Sequence, residues 1–141
     1  MKRISHIGVY AVIRDGSSLL VVRKSRGPYT GLYDLPGGSL EHGESIEAGL
    51  RREVKEETGL DAGDFQGLFN ISLSYPFEID GEMTSLHHIG LVYSGKATGS
   101  IIGAMEVEDS LGAEWVDPRT LSSEQVTPIL KRVVSDMSVP L

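Results

Sequence analysis

Residues 45–59, SIEAGLRREVKEETG, restrict the fold of this chain more than any other stretch. At about 100° per residue, Ile46, Leu50 and Val54 fall on one apolar stripe, which predicts a helix from Ser45 to Thr58. Ser45 is suited to the N-cap and Gly59 to the left-handed residue that ends a helix. We read this stripe as facing a sheet. Arg52, Glu53, Glu56 and Glu57 occupy the adjoining sector, at the margin between core and solvent, with Glu57 at the border of the stripe. Gly49 lies one turn before Glu53. A glycine inside a helix costs about 1 kcal/mol relative to alanine, and we read it as clearance for a bulky ligand over the glutamates.

Sheet-forming segments surround this helix. Residues 5–13 and 18–24 are β-rich and flank Asp15-Gly16, a strong hairpin signal. Residues 25–38 read as a loop around a short extended Leu-Tyr-Asp-Leu. Residues 65–75 and 84–95 read as two more strands joined through Asp80-Gly81, and residues 113–118 as a last short strand. Residues 122–137 close the chain as a helix whose start Pro128 bends or delays. Strands interleaved with two helices predict an α/β fold, an α/β/α sandwich with a central mixed β-sheet, in one domain spanning residues 1–141.

Composition narrows the function. The chain of 141 residues is 40% apolar and 23% charged, as soluble globular proteins are. It has no cysteine, which removes disulfides, thiol nucleophiles and Cys-ligated zinc and fits a reducing cytoplasm, the expected location. A net charge of −7, with no Lys/Arg cluster beyond residues 23–24 and 51–52, argues against duplex nucleic acid as a partner. No apolar run approaches the roughly 20 residues of a membrane span.

Two readings of the acidic helix compete. A Glu-rich, Arg-punctuated helix is ordinarily a solvated face, here with Glu47–Arg51 and Arg52–Glu56 as supporting pairs. Three glutamates within five positions can instead surround a divalent cation. The segment before the helix favours the second. From Gly38 the sequence runs G-x5-E-x7-R-E-U-x-E-E-x-G-U, with U aliphatic, through Glu44, Arg52, Glu53, Val54, Glu56, Glu57, Gly59 and Leu60. This resembles the Nudix box of the MutT-type pyrophosphohydrolases, with no departure at any specified position. Leu35-Pro36-Gly37-Gly38 leads into the box as in that family, and the Trp115 segment is similar to its late Trp-containing strand.

The resemblance implies hydrolysis of a phosphoanhydride bond in a nucleoside diphosphate linked to another moiety: a nucleoside triphosphate, a nucleotide sugar or a dinucleoside polyphosphate. It implies Glu53, Glu56 and Glu57 as ligands of Mg²⁺ (or Mn²⁺), completed by a backbone carbonyl from Gly37 or Gly38. Hard carboxylate oxygens suit those ions. Arg52 would pair with Glu44 or Glu56 and fix a carboxylate, and Gly38 would let the backbone approach metal and phosphate closely. Glu53 is the first candidate for general base, with Glu106 or Glu108 as the alternative.

Arg23, at the end of the second strand, is the candidate for contacting substrate phosphates. Tyr33 stands where relatives often carry Trp and would pack beneath the loop or stack on a base. His87 and His88 alternate along a strand, so one of them faces the site. A nucleotide-type small molecule is the implied partner. Relatives are commonly homodimers, although no residue here identifies such an interface. The alternative function is a nucleotide-sensing Nudix module without turnover, which degenerate boxes favour and this intact one does not. Substrate choice is assigned to residues 25–34, 76–83 and 103–112.

Overall fold

A computed structural model describes residues 1–102 and 110–137. In chain order the described residues form β1 (Lys2–Asp15), β2 (Ser18–Lys24), β3 (Tyr33–Asp34), β4 (Gly37–Ser39), α1 (Ile46–Thr58), β5 (Asp61–Ile79), β6 (Glu82–Thr98), β7 (Ser110–Val116) and α2 (Pro128–Met137), with a 3₁₀ turn at Pro118–Thr120. The sheet runs β3-β2-β1-β6-β5, with β4 paired to β1 and β7 to β2. β1 and β6 are parallel and the other pairs antiparallel, so the sheet is mixed.

The alternation of β1 and β2 builds two cores. Val9, Ala11, Ile13 and Leu20 face α1 and pack with its Leu50 and Val54. Tyr10, Val12, Leu19 and Val21 face the other way and pack with Ile129, Leu130 and Val133 of α2. A helix therefore covers each face of the sheet, the α/β/α arrangement read from the sequence.

Local chemistry sets the helix ends. The Ser45 side chain accepts from the Ala48 amide, and Gly59 closes α1 with φ 83°. The second helix starts at Pro128, not at residue 122. Proline lacks the N–H that a first turn leaves unused, and the Thr127 hydroxyl accepts from the Leu130 amide as cap. The β5–β6 hairpin is longer than the two strands read from the sequence, because backbone pairing continues past them at both ends, to Ile79 opposite Glu82 and to Asp61 opposite Thr98. Asp80 and Gly81 turn it with φ 48° and 79°, the positive pair that a two-residue hairpin turn requires.

One irregularity positions the site. β1 pairs continuously with β6 from Lys2 to Ile13. On its other side it pairs with β4 at Gly8–Tyr10 and with β2 only at Arg14 and Asp15. β4 thus wedges into the split between β1 and β2, held there also by the Ala11 amide donating to the Pro36 carbonyl. A Cβ on Gly37 would collide with the Val9 carbonyl, so only glycine fits the wedge. Among the described residues no helix is long and apolar enough to cross a membrane.

Candidate active site

The wedge brings Gly37 and Gly38 against the acidic sector of α1. The Gly37 amide donates to Glu57 Oε1 at 2.9 Å. Glu57 is only 7% exposed, and its Oε2 is buried with no donor. Burial pushes this carboxyl up to about 8. Glu53 packs on Gly38, where a Cβ would come within 3.0 Å of its Oε1. Its carboxyl is also raised, chiefly by burial, and lies within hydrogen-bonding reach of Glu57. Two carboxylates this close cannot both ionise without a cation or a shared proton.

Arg52 organises the outer side of the cluster. It grips Glu44 through Nε at 2.8 Å and Nη2 at 2.9 Å, and reaches Glu53 at 3.0 Å and Glu56 at 3.3 Å through Nη1. Nη2 also donates to the Ser39 carbonyl. The Arg52 hydrogen bonds hold the Glu44 carboxyl down at about 2. Glu56, the most exposed of the four box glutamates, is thus held on the solvent side while Glu53 and Glu57 converge inward. Among the described residues no three acidic or histidine side chains form a ready cation cage. The buried, donor-less Glu57 oxygen beside a second carboxyl is nevertheless a donor set that fits a hard divalent cation.

A cavity of about 480 Å³ opens beside Gly38 and Ser39. Lys24 and Arg26 bring positive charge to it. Its deeper wall holds His88, whose Nε2 bonds Tyr10 at 2.8 Å and whose Nδ1 bonds Tyr29 at 2.9 Å. Burial lowers His88 to about 4, so the imidazole is neutral at physiological pH.

The structure brings Glu44, Arg52, Glu53, Glu56, Glu57, Gly37 and Gly38 into one cluster. Gly37 presents its amide to that cluster. Arg23 and Tyr33 lie apart from it and do not line the cavity. The Arg23 guanidinium donates to the Tyr33 hydroxyl at 2.7 Å and lies 4.6 Å from the ring centre, while Tyr33 packs on the α2 core. Of the two basic residues that end β2 it is Lys24 that reaches the cavity, because successive strand residues point to opposite faces. Likewise His88 faces inward, whereas His87 faces outward to Ser72. Gly49 makes room for the chain's own Leu40 and Glu44 rather than for a ligand, since a Cβ there would strike Leu40. Glu106 and Glu108 lie outside the described residues. Tyr10, Tyr29 and Asp34 carry no sequence signal, since they acquire their place only through tertiary contacts.

Residues 4–137 match the NUDIX domain model, and the chain belongs to the NUDIX family of hydrolases. A Bacillus subtilis protein named as a putative 8-oxo-dGTP diphosphatase is 30% identical over 128 residues, covering 89% of this chain and 74% of that protein. An ADP-ribose pyrophosphatase of Methanocaldococcus jannaschii is 39% identical over 54 residues, 38% of this chain, so the match spans only 32% of that relative. Among solved structures, a MutT NUDIX hydrolase from Burkholderia pseudomallei superposes with a TM-score of 0.73 at 22% identity, covering 96% of this chain and 99% of that one. This likeness shows the mixed sheet with two helices.

Proposed function

We propose that the chain is a divalent-cation-dependent hydrolase of the phosphoanhydride bond in a nucleoside diphosphate linked to a further moiety. The observation that carries this reading is the buried Glu57 carboxyl, one oxygen on the Gly37 amide and the other without a donor, beside Glu53. Burying such an oxygen costs about 1–3 kcal/mol, a cost that a bound cation offsets. Glu53, Glu56 and Glu57 would hold Mg²⁺ or Mn²⁺. When bound, the ion supplies charge neutralisation at the anhydride oxygens and makes water more acidic.

The chain's own residues do the rest. Arg52 fixes Glu44, Glu53 and Glu56 in place. Glu53, raised by burial, is suited to take the proton of the attacking water. Lys24 and Arg26 favour an anionic ligand in the cavity, and the tyrosine–histidine wall suits an uncharged ring system. The ADP-ribose, 8-oxo-dGTP and CTP named for relatives all fit that description. The cysteine-free sequence supports a reducing compartment such as the cytoplasm.

The test is formation of a nucleoside monophosphate, resolved chromatographically with its co-product (pyrophosphate or a phosphorylated remainder), from a panel of nucleoside triphosphates, nucleotide sugars and dinucleoside polyphosphates with Mg²⁺ or Mn²⁺. Turnover is expected for at least one member, and Glu57→Gln is expected to lower kcat by about 100-fold or more. Tight nucleotide binding without turnover would establish a sensing module instead. Full activity in Glu57→Gln would remove the carboxyl from the mechanism.

A further inference from the structure

Asp34 is 1% exposed, a costly place for a carboxylate, and its two oxygens have separate partners. Oδ1 accepts from the Thr127 hydroxyl at 2.7 Å and from the Leu35 amide at 2.8 Å. Oδ2 faces the Lys24 ammonium at 3.8 Å. One oxygen anchors the side chain, and the other holds a cation.

Lys24 is itself constrained. Its amide donates to the Leu32 carbonyl and its carbonyl accepts from the Gly31 amide, so the backbone beneath it is fixed. Asp34 lies opposite Val22 in the β2–β3 ladder, on the face that Lys24 shares. Both line the cavity beside Gly38. A four-carbon stem gives the ammonium many rotamers, and the Asp34 contact favours those that stay over the cavity.

We propose that Asp34 is a positioning residue: anchored by Thr127 and Leu35, it holds the Lys24 ammonium over the cavity and so fixes where an anionic phosphate group of the substrate is met. This rests on the hydrolase reading for the identity of the anion. The anchor comes from the residue that caps α2, so the second helix acts on the site through a single hydroxyl. No feature of the sequence around Asp34 announces this role.

Asp34→Asn provides a clean variant, because its amide oxygen can keep both Oδ1 bonds while an NH₂ group replaces the oxygen facing Lys24. Two readouts are needed in the full chain: calorimetry with inorganic pyrophosphate in Mg²⁺, and kcat and KM on the nucleotide best hydrolysed in the panel. Asp34→Asn is expected to weaken pyrophosphate binding and raise KM by about tenfold, with kcat within about threefold of wild type. Lys24→Met is expected to do the same, and the double variant to lose no more than either single one.

Unchanged pyrophosphate affinity in a folded Asp34→Asn protein, or additive losses in the double variant, would overturn the proposal. Should Asp34→Asn fail to fold, Thr127→Val is expected to show the same KM shift and Thr127→Ser to restore it, and a Thr127→Val protein with wild-type KM and pyrophosphate affinity would refute it. Asp34-dependent pyrophosphate binding in a protein that hydrolyses nothing in the panel would sink the hydrolase reading and leave this one standing.

Discussion

At the scale of single residues, Arg52 decides how the acidic sector is arranged. One guanidinium meets Glu44, Glu53 and Glu56 and also a backbone carbonyl. Lysine has the charge but not the planar fork. We therefore expect Arg52→Lys to lower turnover by about 10–100-fold with Glu53 no longer held, in a protein whose melting temperature stays close to wild type; kinetics beside a thermal melt check both. The Arg52–Glu56 pairing was legible because i,i+4 spacing along a helix fixes which side chains can meet. The one with Glu44 was read only from the resemblance, and the one with Glu53 was not read at all. The choice between Arg23 and Lys24 was not legible either. It depends on which face of β2 looks into the cavity, and a sequence gives the alternation without its phase. Asp34 was equally hidden, since its partners Lys24 and Thr127 stand far apart in the chain.

At the scale of elements, the first helix was readable at both ends, and the second at its end and in the bend or delay of its start at Pro128, though not in residues 122–127. Ser45 and Gly59 act on their immediate neighbours, and local chemistry leaves a local trace. Ser45→Ala is expected to cost about 1 kcal/mol. Gly59→Ala is expected to cost at least as much, because φ of 83° disfavours a side chain and a Cβ would strike Ile102. Denaturant unfolding measures both, and equal stability for wild type and Gly59→Ala would contradict the left-handed cap. For the second helix the sequence left open whether Pro128 bends the start or delays it, and the fold takes the delay, with Pro128 as the first residue. The role of β4 left no trace either. A three-residue strand is too short for periodicity, and its place depends on β1 and β2 diverging.

At the scale of the whole molecule, buried ionisable groups make stability depend on pH with opposing signs. His88 falls from 6.5 to about 4 on folding, so the unfolded chain binds its proton better. Its contribution is intact above pH 6.5 and is lost as pH falls from there towards 4. Glu57 rises from 4.5 to about 8, so the cation-free folded state binds that proton better. It favours folding as pH falls from 8 towards 4.5. Comparing wild type with His88→Asn isolates the first effect: the variant is expected to lose less stability than wild type between pH 6.5 and 4, and parallel curves would show that His88 is not held neutral.

The central position of β1 carries a kinetic consequence. Its partner along twelve register pairs, β6, lies about 80 residues further along the chain. Closing so large a loop before either core is sealed places the protein among slow, high-contact-order folders, in the millisecond-to-second range. During synthesis, the N-terminal strand emerges long before the segment that covers its edge. Until then that edge is open to chaperones or to mispairing with another nascent chain.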